Sequence, residues 1–316
     1  MAIIGNDLER AKKILLGDGV VGIPTETVYG LAGNALSEKA ILKIYEVKNR
    51  PKFDPLIAHA DSLDKVRKLI TDLPAKAKVL ADAFWPGPLT LLLEKSRLVP
   101  ELLTSGHPRV AVRIPDHSKS LALLKELDFP LAAPSANPFG YVSPTMASHV
   151  VDQLGDKIEY VLDGGNCQVG VESTIVGFEV GEPVVHRLGG IALEEIEKLT
   201  GPVKVQINSS SDPSAPGMLK SHYSPGRKMI LGNIKQELNL RNKEEVGIIS
   251  FQEAHDVPKE NLFVLSPKGD LNEAARNIFH ALRAMDSPQI KEVLAETVPN
   301  QGLGRAINDR LRRASA

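Results

Sequence analysis

The chain has 316 residues, 42% apolar and 24% charged, with a formal net charge of −1. That length allows two domains and a large core, and the composition is that of an ordinary globular protein. The near-zero charge excludes a global field that would drive nucleic-acid binding, so any RNA contact must come from a local patch.

The apolar spacing predicts a helix over 7–16, with Leu8, Ala11, Ile14 and Leu15 on one face. Residues 20–23 form a short apolar run that reads as a buried strand. Ser37 fits the N-cap of a helix through Val47, and Asp61 or Ser62 fits the cap of another after a strand at 56–58. Strands are expected at 89–94, 110–114, 131–133, 160–162, 174–178 and 184–186. Helices are expected at 118–126, 145–154 and 193–199. Together these make an α/β domain of roughly 200 residues. The segment 201–226 contains Ser209-Ser210-Ser211-Asp212-Pro213-Ser214-Ala215-Pro216-Gly217 and reads as a linker. Beyond it, strands at 228–231, 246–250, 262–265 and 292–295 alternate with helices at 271–285 and 306–312. That alternation predicts a smaller parallel-sheet domain over 227–316.

Gly17-Asp18-Gly19-Val20-Val21-Gly22 matches the dinucleotide pattern letter for letter. Its context is reversed: a helix precedes and a strand follows, whereas the fingerprint needs a strand first. Gly17 reads instead as a helix C′ residue, where a positive φ is cheap. Cys167 is the only cysteine, so no intramolecular disulfide can form and a cysteine-based metal site is not expected. The histidines lack zinc-site spacing, and there is neither a P-loop nor a GxSxG elbow. If a nucleotide binds, it binds by another geometry. The first residues carry no basic segment followed by an apolar run, so no signal peptide is expected. No apolar stretch is long enough to span a bilayer, and a cytoplasmic enzyme fits these features.

Six segments concentrate polar chemistry at predicted strand or helix ends. Lys48-Asn49-Arg50-Pro51 follows a helix; its cations either complement the helix dipole or meet phosphate. Arg109 and Arg113 flank one strand, and Arg113 stands at the end where ligand crevices of α/β sheets form. Pro134-Ser135-Ala136-Asn137 follows another strand. It reads equally as a turn or as a hydroxyl and an amide at the same sheet end. Pro24-Thr25-Glu26-Thr27-Val28-Tyr29-Gly30-Leu31 is either a capped turn or a polar-ligand loop, and Glu172-Ser173-Thr174 and His186-Arg187 pose the same question. His59, alone on an apolar strand, reads as a satisfied core group.

As an ordered set these segments resemble the threonylcarbamoyl-AMP synthase family, in its long form. The resemblance covers nearly the whole chain. It implies a YrdC-like twisted mixed sheet with helices over 1–200, a linker over 201–226 that closes over the active site, and a smaller Rossmann-like α/β domain over 227–316. It further implies that ATP, L-threonine and bicarbonate give threonylcarbamoyl-AMP and pyrophosphate, with Mg²⁺ accompanying ATP. A tRNA-modifying threonylcarbamoyl transferase then acts downstream, so direct tRNA contact is not required. Carried over by motif, Thr27, His59, Arg113, Ala133 and Ser173 surround L-threonine. Lys48, Arg50, Asp54, Ser135, Asn137, Ser143 and Arg187 surround ATP, with Arg109 a further ATP candidate. Lys48, Arg50, Ser135 and Asn137 carry the chemistry. In the linker, Ser221-His222-Tyr223-Ser224-Pro225 resembles the family's His-Tyr segment, which implies that Tyr223 closes over the nucleotide. Two positions depart from the family. Asp54 replaces the usual asparagine, and a carboxylate there repels triphosphate unless Mg²⁺ or Lys48 offsets it. Ser221 stands where relatives often carry a basic residue.

Two other readings compete. A YrdC-like module that only binds RNA conflicts with the net charge and the missing aromatic platform. A carbamoyl-transferring maturation enzyme carries additional cysteine-rich zinc modules, which one cysteine cannot supply.

Overall fold

The computed structural model describes residues 1–207, 223 and 226–316, and contacts group them into two units. The first holds the described residues up to 207, apart from Gly140–Val142 and Val169–Val171. Those two segments belong with Tyr223 and 226–316 in the second. The polar stretch 209–217, Ser221, His222, Ser224 and Pro225 lie outside the described residues.

In chain order the first unit runs β1 (Ile3–Gly5), α1 (Leu8–Leu16), β2 (Val21–Ile23), β3 (Gly30–Asn34), α2 (Glu38–Lys48), β4 (Ile57–His59), α3 (Leu63–Leu69), α4 (Ala75–Phe84) and β5 (Leu89–Glu94). It continues through β6 (Arg109–Arg113), α5 (Ser118–Lys125), β7 (Leu131–Ala132), α6 (Ala147–Leu154), β8 (Tyr160–Leu162), β9 (Thr174–Glu179), β10 (Glu182–Arg187), α7 (Leu193–Thr200) and β11 (Lys204–Val205). The strands form one mixed sheet, ordered β1-β8-β2-β3-β7-β4-β6-β5-β9-β10-β11.

Side chains alternate across that sheet, as strand geometry requires. Leu31, Ala132 and Val161 enter one buried cluster, while Ala32, Leu131, Ala133, Tyr160 and Leu162 enter another. On β4, β5, β6 and β9 the residues Ile57, Leu92, Ala111 and Ile175 make a small apolar group on one face. Their neighbours two positions along on that face are His59, Thr90, Arg113 and Ser173. The polar row therefore lies just past an apolar floor.

Helix caps follow the sequence closely. Asp7 caps α1 by accepting the Arg10 N–H, and Ser37 caps α2 by accepting from Ala40. Of the two candidates before α3, Ser62 is the cap. The end of α1 differs from expectation: Gly17 has φ −88, and the left-handed residue is Asp18 at φ 57. Four elements of this unit were unread, among them β11, which falls in the segment read as linker. β1 is too short to show a pattern, α4 starts after Pro74 with alanine-rich rather than strongly periodic sequence, and β3 is glycine-rich. Gly33 of β3 lets α2 pack close, since a Cβ there would stand 3.2 Å from Ile44 Cδ1.

The second unit carries β12 (Lys228–Leu231), α8 (Ile234–Leu238), β13 (Val246–Ser250), β14 (Leu262–Val264), α9 (Leu271–Ala284), β15 (Glu292–Ala295) and α10 (Gly304–Ala314). Its sheet is wholly parallel in the order β12-β15-β13-β14. α8 covers Val246 and Ile248, and Met285 and Ile290 cover Gly247 on the other face. This is the α/β unit expected of a Rossmann-like domain. A cleft of about 660 Å³ opens past the carboxyl ends of β12, β13 and β15. Gly170 takes φ +79 and packs in this unit against α9, where a Cβ would meet the Arg276 backbone at 2.3 Å.

Candidate active site

Asn49 ends α2 in the left-handed conformation, φ 53, which asparagine tolerates better than most residues. The reversal directs two successive cations inward. Lys48 is buried, and its ammonium donates to the carbonyls of Ser135 and Asn137. Burial holds its pKa well below 10.5; Arg50 pushes the same way and Asp54 opposes. Arg50 Nε donates to the Asp54 carbonyl at 3.0 Å and Nη2 to that of Pro55 at 2.8 Å. Nη2 also pairs with Asp54 Oδ2 at 2.9 Å, with both side chains nearly solvent-free. Arg50 is thus the ion-pair partner of the unexpected carboxylate, whose charge also acts on Lys48.

A second cluster surrounds Arg113. Its Nε donates to the Gly87 carbonyl at 3.2 Å and its Nη1 to Thr27 Oγ1 at 3.0 Å, while Nη2 pairs with Glu26 Oε1 at 2.6 Å. Thr27 Oγ1 also shares a hydrogen bond with Thr25 Oγ1 at 2.9 Å. His59 lies opposite Arg113 across β4 and β6. Burial and the Arg113 charge press its pKa down to about 3, against backbone carbonyls that raise it. The ring is neutral at physiological pH.

Ser135 and Arg113 do not share a sheet end. β4 and β6 are parallel, but β7 runs antiparallel to β4. The chain therefore leaves β7 toward Ser135 at the end opposite to Arg113. What joins them is the loop between β2 and β3. Thr27 takes the Arg113 hydrogen bond, while the Tyr29 carbonyl accepts from the Ala136 N–H at 2.8 Å and Gly30 bridges to Ser135. Ala133, whose N–H donates to the Ile57 carbonyl, anchors the start of this segment.

Ser173 organises a third group. Its hydroxyl meets Thr90 Oγ1 at 2.7 Å and accepts from Arg187 Nη2 at 2.9 Å, and its carbonyl accepts from Arg187 Nε at 3.0 Å. Ser143 donates to Glu172 Oε1 at 2.7 Å. Arg109 falls elsewhere: it begins the strand that Arg113 ends, and its charge helps burial lower the His186 pKa to about 4. Tyr223 lies in the second unit at φ 65, stacked on Phe279 with ring centroids 5.3 Å apart. The guanidiniums of Arg310 and Arg313 lie 5.2 and 5.1 Å from its ring centre. Sequence reasoning assigned no role to Thr90, and left Glu26 and Glu172 in segments that read either as turns or as polar-ligand loops. Thr90 carried a readable signal, being the one polar residue inside the apolar run 89–93.

The family described as telomere recombination matches residues 13–189, and the threonylcarbamoyl-AMP synthase C-terminal domain matches 191–316. A threonylcarbamoyl-AMP synthase from Pyrococcus abyssi is 42% identical, with 100% of this chain and 98% of that protein covered. The chain belongs to the threonylcarbamoyl-AMP synthase family. A second member, from Bacillus subtilis, is 38% identical over 98% of this chain and 92% of its own. The crystal structure of P. abyssi Sua5 complexed with L-threonine superposes with a TM-score of 0.92 at 39% identity, covering 100% of this chain and 97% of that one. Escherichia coli YciO, 20% identical with a TM-score of 0.53 over 60% of this chain, shares the fold. Membership in this family accounts for the two-unit architecture and for the order of the polar segments.

Proposed function

We propose that this protein is an L-threonylcarbamoyladenylate synthase, a nucleotidyltransferase that converts ATP, L-threonine and bicarbonate to threonylcarbamoyl-AMP and pyrophosphate. The observation that carries the reading is the joining of the Lys48 and Arg113 clusters by one loop, within a chain related to these synthases along its whole length. The product serves a downstream tRNA-modifying transferase in the cytoplasm. Among the described residues no helix is long and apolar enough to cross a membrane.

Threonine's amine takes up CO₂ or bicarbonate to form a carbamate. A carbamate oxygen attacks the α-phosphate and pyrophosphate leaves, with no covalent enzyme intermediate. The protein's work is to assemble anions and stabilise charge as it develops. Arg113 receives the threonine carboxylate in its fork, with Thr27, His59, Ala133 and Ser173 around the rest of that ligand. Lys48, Arg50, Ser135, Asn137, Ser143 and Arg187 surround ATP, and Asp54 holds Arg50. Lys48 spends two of its three protons on carbonyls and keeps one for phosphate. Arg50 Nη1 makes no hydrogen bond among the described residues. Those residues contain no group of three His, Cys, Asp or Glu side chains suited to a metal. Mg²⁺ arrives as part of the MgATP substrate, held mainly by phosphate oxygens.

The test is pyrophosphate release from MgATP with threonine or bicarbonate omitted in turn, and mass spectrometry of the nucleotide product. Release that needs both, with a threonylcarbamoyl-adenylate mass, is expected. Threonine-independent hydrolysis, or no turnover by a folded protein, would overturn the reading.

A further inference from the structure

Glu26 is a carboxylate whose one ion-pair partner among the described residues is the Arg113 guanidinium, 2.6 Å away, with the two side chains 7% and 4% exposed. Beyond that ion pair, neither Glu26 oxygen has a hydrogen-bond donor among the described residues, and both are sealed from solvent. Arg113, in contrast, is also held by Thr27 and Gly87. The guanidinium is fixed and the carboxylate is not. A buried carboxylate with one partner is costly unless another donor reaches it during function.

We infer that the Glu26–Arg113 pair is a zwitterion slot. This rests on the proposed reading of Arg113 as the threonine carboxylate site. The incoming α-carboxylate takes the place of Glu26 on Arg113, and the displaced Glu26 accepts the substrate's ammonium. Charge pairing is conserved: one internal ion pair plus a zwitterion becomes two ion pairs. A ligand with only a carboxylate leaves Glu26 unpaired and repelling it, and a ligand with only an ammonium leaves Arg113 unpaired. Glu26 is therefore a specificity-determining residue that selects free α-amino acids over hydroxy acids and amines of the same size. Because both oxygens are sealed, entry requires the pair to part, so the selection acts before the substrate is seated.

The experiment is a charge series. L-Threonine, 3-hydroxybutyrate and 1-amino-2-propanol are titrated against the full chain and against Glu26→Gln, by calorimetry and by competition with labelled threonine. In the unaltered protein both singly charged ligands should bind at least about 10-fold more weakly than threonine. In Glu26→Gln threonine should weaken about 10- to 100-fold, while 3-hydroxybutyrate should tighten, so the preference collapses. Equal weakening of both ligands would make Glu26 only a support for Arg113 and overturn the inference, as would no change in either. If Glu26→Gln does not fold, the unaltered protein decides: equal binding of threonine and 3-hydroxybutyrate overturns the slot. Failure of the unaltered protein to bind threonine at all would instead remove the proposed function.

Discussion

Lys48→Met separates function from stability most sharply. The substitution keeps length and volume and removes one buried charge. Two carbonyls, of Ser135 and Asn137, lose their donor, at about 1 kcal/mol each. Against that, burial disfavours the ammonium, as the lowered pKa of Lys48 shows. With a folded value below the unfolded 10.5, the unfolded chain binds more protons between the two. Wild-type stability therefore rises with pH through that window, and the variant lacks the rise. The opposing effects leave Lys48→Met within about 2 kcal/mol of wild type near neutral pH. Activity should fare differently. Loss of a preorganised donor to developing phosphate charge should lower kcat at least about 100-fold, or about 2.7 kcal/mol. Urea unfolding gives the first quantity and pyrophosphate release the second. A folded variant retaining more than about a tenth of the wild-type rate would refute the phosphate role. A stability loss beyond about 4 kcal/mol would instead make Lys48 a structural staple.

Asp54→Asn should tighten ATP several-fold in equilibrium binding, because a buried negative charge leaves the phosphate side of the site. It should also cost about 1–3 kcal/mol of stability, since Arg50 keeps its two carbonyl contacts but loses its counter-charge. Weaker ATP binding would show that Asp54 acts by fixing Arg50. His59, with its pKa pressed from 6.5 to about 3, stays neutral when folded while the unfolded chain protonates. Stability at this residue is full above pH 6.5 and is lost progressively as pH falls toward about 3. His59→Gln should flatten that stretch of the urea midpoint–pH curve; an unchanged slope would remove His59 as its source. Tyr223→Ala should destabilise the second unit by about 3 kcal/mol through lost stacking and cation–π contacts. It should also weaken ATP more than threonine, and equal effects on both ligands would argue against a nucleotide lid.

Much of the frame was legible because it rests on local rules. Ser37, Asp7 and the apolar strand runs announced their elements, and β12, β13 and β15 fell where alternation placed them. β3 was not legible, since Gly30-Leu31-Ala32-Gly33-Asn34 has poor strand propensity and is held by neighbours on both sides. The positive φ after α1 moved from Gly17 to Asp18 because the Gly17 N–H remains bonded to the carbonyls of α1. Strand direction was the deeper loss. Nothing local says that β7 runs against β4, so Ser135 was read at the Arg113 end of the sheet. Only the pairing partners decide direction, and they are distant in sequence.

The pairing of the cations ranks their roles. Arg50 and Arg113 each face a carboxylate, Asp54 and Glu26, so their charge is largely neutralised before any ligand arrives. Lys48 donates to two carbonyls and pairs with no carboxylate at contact distance among the described residues. Carbonyl and hydroxyl oxygens orient a cation without cancelling its charge. On the proposed reading, Lys48 then supplies more of the field felt by triphosphate than Arg50, whose part is geometry. A neutral substitution should then affect ATP affinity more at Lys48 than at Arg50.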